Sequence, residues 1–336
     1  MQLDNIPRLS LTNLPTPLDE APRLARELGI RKLLIKRDDC TTLGGGGNKV
    51  RKLEYLMADA VAQGADVILT DGGPQSNHAR LTAAAARKLG IERCILFLGG
   101  LKFDRFDGNL LLDTIFGAEI RFMEDATVKD MEKAMSAEAD KLRGEGKKPY
   151  IIPIGGSTPL GALGYVQCIR ELAGQLSDED KAPQIFVTVG SAGTLAGCAL
   201  GVKLFLPNAE LIGISVARKS KPIREIAAKN ATQSALLIEV DEMLSPDDLV
   251  VNDKYYGERY GVPSKAGNEA VLLAAQTEAL ILDPIYTGKA MSGLIDLART
   301  KKIDTARTAI FIHTGGSPGL MAFEELFRQH ANFSIV

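Results

Sequence analysis

The 336-residue chain has no tryptophan and only three histidines, His78, His313 and His330. Its four cysteines, Cys40, Cys94, Cys168 and Cys198, form no Cys-x-x-Cys pair. With so few soft ligands and no ligand spacing, no metal site is expected. The scattered cysteines read as small buried apolar residues in a reducing compartment. No apolar run approaches the roughly 18 residues of a membrane span, and Met1 to Ser10 carries no apolar signal core. The cytoplasm is the expected location. Net charge is -2, and no basic tract is interleaved with aromatics, so neither nucleic acid nor a membrane is an expected partner. The length allows two domains and a sizeable core.

Glycine, by contrast, is abundant. Four run together in Gly44-Gly45-Gly46-Gly47, followed at once by Asn48 and Lys49. A backbone without Cβ atoms takes positive φ and lets a bulky ligand come close. Beyond it, Val50, Leu53, Leu56, Met57, Ala60 and Val61 recur at helical spacing. Lys49 therefore stands where a glycine loop enters a helix. The positive helix N-terminus favours a neutral amine, and a neutral amine attacks carbonyls, so one reading is a Schiff-base lysine. The phosphate loop of nucleotide hydrolases fits poorly, because Asn48 separates glycine from lysine and Val50 replaces the magnesium-holding hydroxyl. A solvated loop lysine beside Arg51 and Lys52 is the plain alternative.

Strands and helices alternate along the rest of the chain. Strands are expected at 32–36, 66–70, 94–98, 119–123, 149–154, 185–189, 211–216 and 309–313, with amphipathic helices between most of them. Residues 219–261 are polar and carry no clear pattern. The alternation predicts an α/β protein with parallel sheets flanked by helices. Ligands of such sheets bind beyond the carboxyl ends of strands. Four strands there run into Gln75-Ser76-Asn77, Gly155-Gly156-Ser157, Gly190-Ser191-Ala192-Gly193-Thr194 and Thr314-Gly315-Gly316. Each alone is ordinary turn and cap chemistry. The third is the best phosphate cradle, with glycine amides and two hydroxyls at a helix start. One phosphate site without a magnesium motif, together with a Schiff-base lysine, points to pyridoxal phosphate.

The ordered set Gly-Gly-Asn-Lys49, Gln75-Ser-Asn-His78, Gly-Ser-Ala-Gly-Thr194, Tyr260-Gly-Val-Pro, Asp283-Pro-Ile-Tyr-Thr-Gly-Lys289 and His313-Thr-Gly-Gly316 resembles the D-cysteine desulfhydrase and 1-aminocyclopropane-1-carboxylate deaminase family. The resemblance covers nearly the whole chain. It implies a pyridoxal-phosphate enzyme of the tryptophan-synthase-β fold type, with a large domain of residues 1–49 and 161–336 and a small one of 50–160. It also implies a homodimer. By the same resemblance Lys49 holds the cofactor covalently and moves protons. Asn77 bonds its phenolic oxygen, Gly190, Ser191, Ala192, Gly193 and Thr194 hold its phosphate, Tyr286 packs on its ring and Thr314 bonds the pyridine nitrogen. Ser76, Asn77 and His78 lie near the substrate carboxylate, and Tyr260 reaches the substrate. Lys289 and Arg80 are expected to be surface cations or cations behind the site.

Deaminases of this family generally carry a carboxylate right after the tyrosine that matches Tyr286. Thr287 stands there in this chain. Elimination of a thiol is the easier reaction, since a thiol has a pKa of about 8.5, so Thr287 favours β-elimination. The reading is D-cysteine conversion to pyruvate, hydrogen sulfide and ammonia. Gly72-Gly73-Pro74 and Leu98-Gly99-Gly100-Leu101 depart from the desulfhydrase pattern and keep L-cysteate sulfo-lyase open as an alternative, which would want an extra cation from Arg51, Arg80 or Arg218. The cyclopropane deaminase, an amino-acid racemase and a non-catalytic cofactor-binding protein are the further alternatives.

Overall fold

The structure is a computed structural model that describes residues 1–100 and 105–331; Leu101 of the unusual Leu98–Leu101 stretch lies outside them. The first elements are β1 (Leu18–Glu20), α1 (Pro22–Leu28) and β2 (Lys32–Lys36), and the glycine loop then leads into α2 (Lys49–Ala62). Next come β3 (Val67–Gly72), α3 (Asn77–Lys88), β4 (Arg93–Gly100), α4 (Gly108–Ile115), β5 (Glu119–Glu124), α5 (Val128–Gly144) and β6 (Pro149–Ile152). The chain continues through α6 (Pro159–Gln175), β7 (Gln184–Val189), α7 (Gly193–Phe205), β8 (Glu210–Ser215), α8 (Ser220–Leu237) and β9 (Val250–Asn252). It closes with α9 (Lys265–Glu278), α10 (Thr287–Arg299), β10 (Thr308–Ile312) and the short α11 (Ser317–Leu320).

Two sheets result, ordered β1-β2-β10-β7-β8-β9 and β5-β4-β3-β6. Every pairing is parallel except β1 with β2. Parallel strands need both faces covered, which explains their near-continuous apolar runs. In β7, Ile185, Val187 and Val189 pack under α6 and α7, while Phe186 points the other way toward α10. In β3, Val67 and Leu69 face α5 and Ile68 faces α2 and α3. The alternation is that of a pleated strand with two covered faces.

Helix α2 differs from its expected one-sided pattern. Arg51, Lys52 and Glu54 are as buried as Val50 and Leu53, whereas Val61 is 46% exposed. The helix is wedged against α3 and α6, so its polar face meets protein rather than water. Residues 219–261 contain the 18-residue helix α8, whose Lys, Ser, Gln and Asn content hid its apolar face of Ile223, Ala227, Ala231 and Ala235. Cys94, Cys168 and Cys198 are buried as expected, but Cys40 is exposed. Among the described residues no helix is long and apolar enough to cross a membrane.

Candidate active site

The strands of both sheets end around one cavity of about 240 Å³. The larger sheet contributes the loops after β7, β8 and β10, and the smaller sheet the residues after β3, β5 and β6. The structure brings Lys49, Ser76, Asn77, His78, Gly190, Ser191, Ala192, Thr194, Tyr260, Tyr286 and Thr314 together in its lining. Gly193 is the one expected site residue outside the lining; it is the first residue of α7, directly behind the cradle.

Lys49 is the first residue of α2, and the glycine loop sets that start. Gly46 has φ 75°, and a Cβ there would lie 2.2 Å from the Asp39 carbonyl oxygen, so only glycine fits. Arg80 reaches across from α3 and donates to the carbonyls of Gly44 and Gly46. Arg80 is therefore a buried clamp on this loop, not a surface cation. Asn48 donates its backbone N–H to the Thr314 carbonyl and its side-chain amide to Thr194, and accepts from Lys49 Nζ at 3.0 Å. Burial, rather than the helix terminus alone, lowers the Lys49 amine to about 8.

One turn on, Lys52 is 1% exposed and donates to the Gly155 carbonyl at 3.1 Å. Among the described residues it has no carboxylate partner. Burial, then the nearby Lys49 charge, pushes its amine well below the ordinary range. A Cβ on Gly193 would stand 3.0 Å from Lys52 Nζ, so this cation lies beside the first turn of α7. A buried amine at a helix N-terminus regains its proton when an anion binds beside it, so this is a place for an anion. Sequence reasoning missed Lys52; its i, i+3 spacing from Lys49 is the signal that could have found it.

Ser76 caps α3 by accepting the Ala79 N–H at 3.2 Å. The N–H groups of Asn77 and His78 have no hydrogen-bond partner among the described residues, so this helix start is a second anion site. Asn77 Oδ1 accepts from Asn109 at 3.0 Å and from Arg80 at 3.4 Å. A guanidinium only donates, which fixes the oxygen toward Arg80 and leaves the Asn77 NH₂ as a donor. Thr70 spends its hydroxyl proton on the Ile152 carbonyl at 2.7 Å and so accepts from His78 Nε2 at 2.8 Å. His78 Nδ1 is therefore the unprotonated nitrogen, and among the described residues it has no partner. Burial holds the ring neutral. The His78 imidazole cannot donate to a carboxylate; only its backbone amide can.

Tyr286 precedes α10, where Asp283 accepts the N–H groups of Ile285, Tyr286 and Thr287 and the Thr287 hydroxyl. Thr287 is thus turned toward Asp283 and does not line the cavity. A Cβ on Gly316, φ 110°, would meet Asp283 Oδ2 at 2.2 Å, so a glycine is required for this approach. The Tyr260 and Tyr286 hydroxyls are hydrogen-bonded to each other. Burial in the site raises both phenols, although 42% of the Tyr260 surface is exposed, so both stay protonated donors at neutral pH. Lys289, also fully buried, donates to the carbonyls of Tyr256 and Arg259 and pins the loop that carries Tyr260. Of the three candidate arginines, Arg51 is engaged with Asp38 and Glu171, Arg80 clamps the glycine loop, and only Arg218 lines the cavity.

Residues 9–315 match the family described as "Pyridoxal-phosphate dependent enzyme". The chain is 41% identical over 333 residues to the D-cysteine desulfhydrase of Klebsiella pneumoniae subsp. pneumoniae, covering 96% of this chain and 99% of the relative. It is 43% identical over 329 residues to that of Salmonella paratyphi B, covering 96% and 97%. A crystal structure titled as an ACC deaminase homologue superposes with a TM-score of 0.89 at 39% identity, over 97% of each chain.

Proposed function

Because this chain belongs to the pyridoxal-phosphate dependent enzymes, we propose that it removes hydrogen sulfide from D-cysteine to leave pyruvate and ammonia. The observation that carries the chemistry is the buried Lys49 amine, facing a cavity on which two phenols and two open helix N-termini converge. The substrate follows the full-length relatives named D-cysteine desulfhydrase. It does not rest on Thr287, which is held by Asp283.

The donor set fits the cofactor. Lys52 is a buried amine with no carboxylate partner among the described residues, beside the start of α7, and it suits a phosphate held with Gly190, Ser191, Ala192, Gly193 and Thr194. The Asn77 NH₂ suits a phenolic oxygen, Thr314 the ring nitrogen and Tyr286 the ring face. Bound there, pyridoxal phosphate supplies an electron sink that acidifies the Cα proton of an amino acid. Ser76 and the amides of Asn77 and His78 take the substrate carboxylate. Lys49 accepts the Cα proton, and Tyr260 with Tyr286 donates hydrogen bonds on the leaving-group side. The division into residues 1–49 with 161–336 and residues 50–160 is part of the same reading, supported by the two sheets. So are a cytoplasmic location and a homodimer.

With a pKa of about 8, roughly one Lys49 in ten is neutral at pH 7, against about one in 2,500 for an ordinary lysine. Cofactor uptake by the apoprotein therefore accelerates with pH and levels off above about 8. Stopped-flow mixing across pH 6 to 10 checks this; a rate still climbing at pH 10 contradicts it.

Keto-acid release by the cofactor-loaded protein tests the substrate. D-cysteine is expected to give pyruvate well above L-cysteine, L-cysteate and 1-aminocyclopropane-1-carboxylate. Pyruvate mainly from L-cysteate moves the reading to a sulfo-lyase, and 2-oxobutyrate from the cyclopropane substrate to a deaminase.

A further inference from the structure

Three anionic groups meet in the proposed reaction: the cofactor phosphate, the substrate carboxylate and the sulfur as it departs. The first two have sites already, at Lys52 with α7 and at the start of α3. The cavity holds one more cation. Arg218 follows β8 in a turn fixed from both sides by Ser215, whose hydroxyl accepts the Arg218 N–H at 3.2 Å and donates to the Arg218 carbonyl at 2.6 Å. Its backbone is thus set by a fully buried residue. Its half-buried side chain lines the cavity. Among the described residues the guanidinium has neither a carboxylate nor a hydrogen-bond partner, in a protein where Arg37, Arg51, Arg80, Arg93 and Arg307 are all engaged. Arg218 belongs to the larger sheet, on the wall of Tyr260 and Tyr286, and its charge acts on the Tyr260 phenol. The carboxylate site at Ser76 and Asn77 belongs to the smaller sheet.

We propose that Arg218 is a catalytic residue that pairs with the departing hydrosulfide anion; the inference rests on the desulfhydrase reading above. Lys49 takes the Cα proton, and the electron pair left on Cα forms the Cα–Cβ double bond. The Cβ–S bond breaks with both electrons going to sulfur, which keeps its own hydrogen and leaves as HS⁻ against the guanidinium. The enamine that remains is hydrolysed by water to pyruvate and ammonia. A fixed cation aimed at a charge that appears only as the bond breaks stabilises the transition state more than the bound substrate.

The test compares D-cysteine with 3-chloro-D-alanine on holoenzyme, because chloride is a far weaker base than hydrosulfide and leaves unaided. Arg218→Met is expected to lower kcat/KM for D-cysteine about 100-fold, the low end for loss of one transition-state charge contact. It is expected to change 3-chloro-D-alanine by less than about fivefold. Arg218→Lys recovers part of the D-cysteine rate, and cofactor affinity, read by absorbance titration of the apoproteins, stays as in the wild type. Equal losses on both substrates overturn the inference and make Arg218 a carboxylate or structural residue. Weakened cofactor binding overturns it in favour of a phosphate contact, and unchanged D-cysteine turnover overturns it outright. Wild-type enzyme without activity on D-cysteine sinks the underlying reading instead, which separates the two failures.

Discussion

Replacing Lys49 by alanine is expected to lower D-cysteine turnover by about 10⁴-fold or more, the combined loss of a nucleophile and a proton acceptor. In free-energy terms that is about 5.5 kcal/mol. The side chain sits at the first position of α2, exposed only to the cavity, with Asn48 as its hydrogen-bond partner. The side chain lines the cavity and does not belong to the apolar core, so the unfolding midpoint is expected to stay close to that of the wild type. Lys52 is the control. Burial pushes its amine down as well, yet it is tied to the Gly155 carbonyl and faces the start of α7. Lys52→Ala is expected to weaken cofactor binding and spare the covalent link. Parallel assays of turnover and cofactor affinity on the two variants separate the roles; a Lys52→Ala variant that loses the link while Lys49→Ala keeps it would reverse them.

The largest effect on stability is expected at Asp38. This carboxylate is wholly buried and accepts from Arg51 Nε at 2.9 Å, Arg51 Nη2 at 2.8 Å, Thr16 Oγ1 at 3.0 Å and the Tyr165 hydroxyl. Arg51 continues to Glu171, which also binds Lys36. Burial by itself would raise the Asp38 carboxyl, but Arg51, the Tyr165 hydroxyl and Lys36 together outweigh it and hold the group below the usual range. Asp38→Ala removes one partner of a buried pair and leaves a partly compensated guanidinium, a change that costs about 3–5 kcal/mol. The urea midpoint should fall by that equivalent. A shift worth less than about 1 kcal/mol, the value of a surface pair, would contradict the assignment. Because a depressed carboxylate adds stability above its unfolded pKa of about 4 and loses it as pH falls through the folded value, the wild type should lose this contribution in acid while Asp38→Ala has none to lose. Arg51 is two residues from Lys49, so the same variant is expected to loosen the cofactor.

Much of the fold was legible because parallel strands under two helical layers are written as short apolar runs. The bounds of β2 agree with the expected 32–36 to the residue. Helix α8 was not legible, since Ser220 to Leu237 mixes lysine, serine, glutamine and asparagine with an apolar face made largely of alanine. The site was legible as motifs at strand ends, which is where open parallel sheets put their ligands. Its electrostatics were not. Arg51, Lys52 and Glu54 in a helix read as a solvated face, and only the packing of α2 against α3 and α6 turns them into a buried anchor and a buried anion site. Thr287 was legible as a departure from the deaminase pattern that favours β-elimination, but its hydrogen bond to Asp283, which turns the side chain away from the cavity, was not. Arg218 lies three residues past the end of β8, so the strand-end rule reaches it, but nothing in the sequence says that it lacks a partner.

The most direct test of the central claim, that Lys49 in this cavity carries the cofactor, is borohydride reduction of the pyridoxal-phosphate-loaded protein followed by peptide mapping. The account predicts one reduced pyridoxyl group per chain, on the peptide containing Lys49. A label on Lys52, on Lys289 or on no lysine would contradict it.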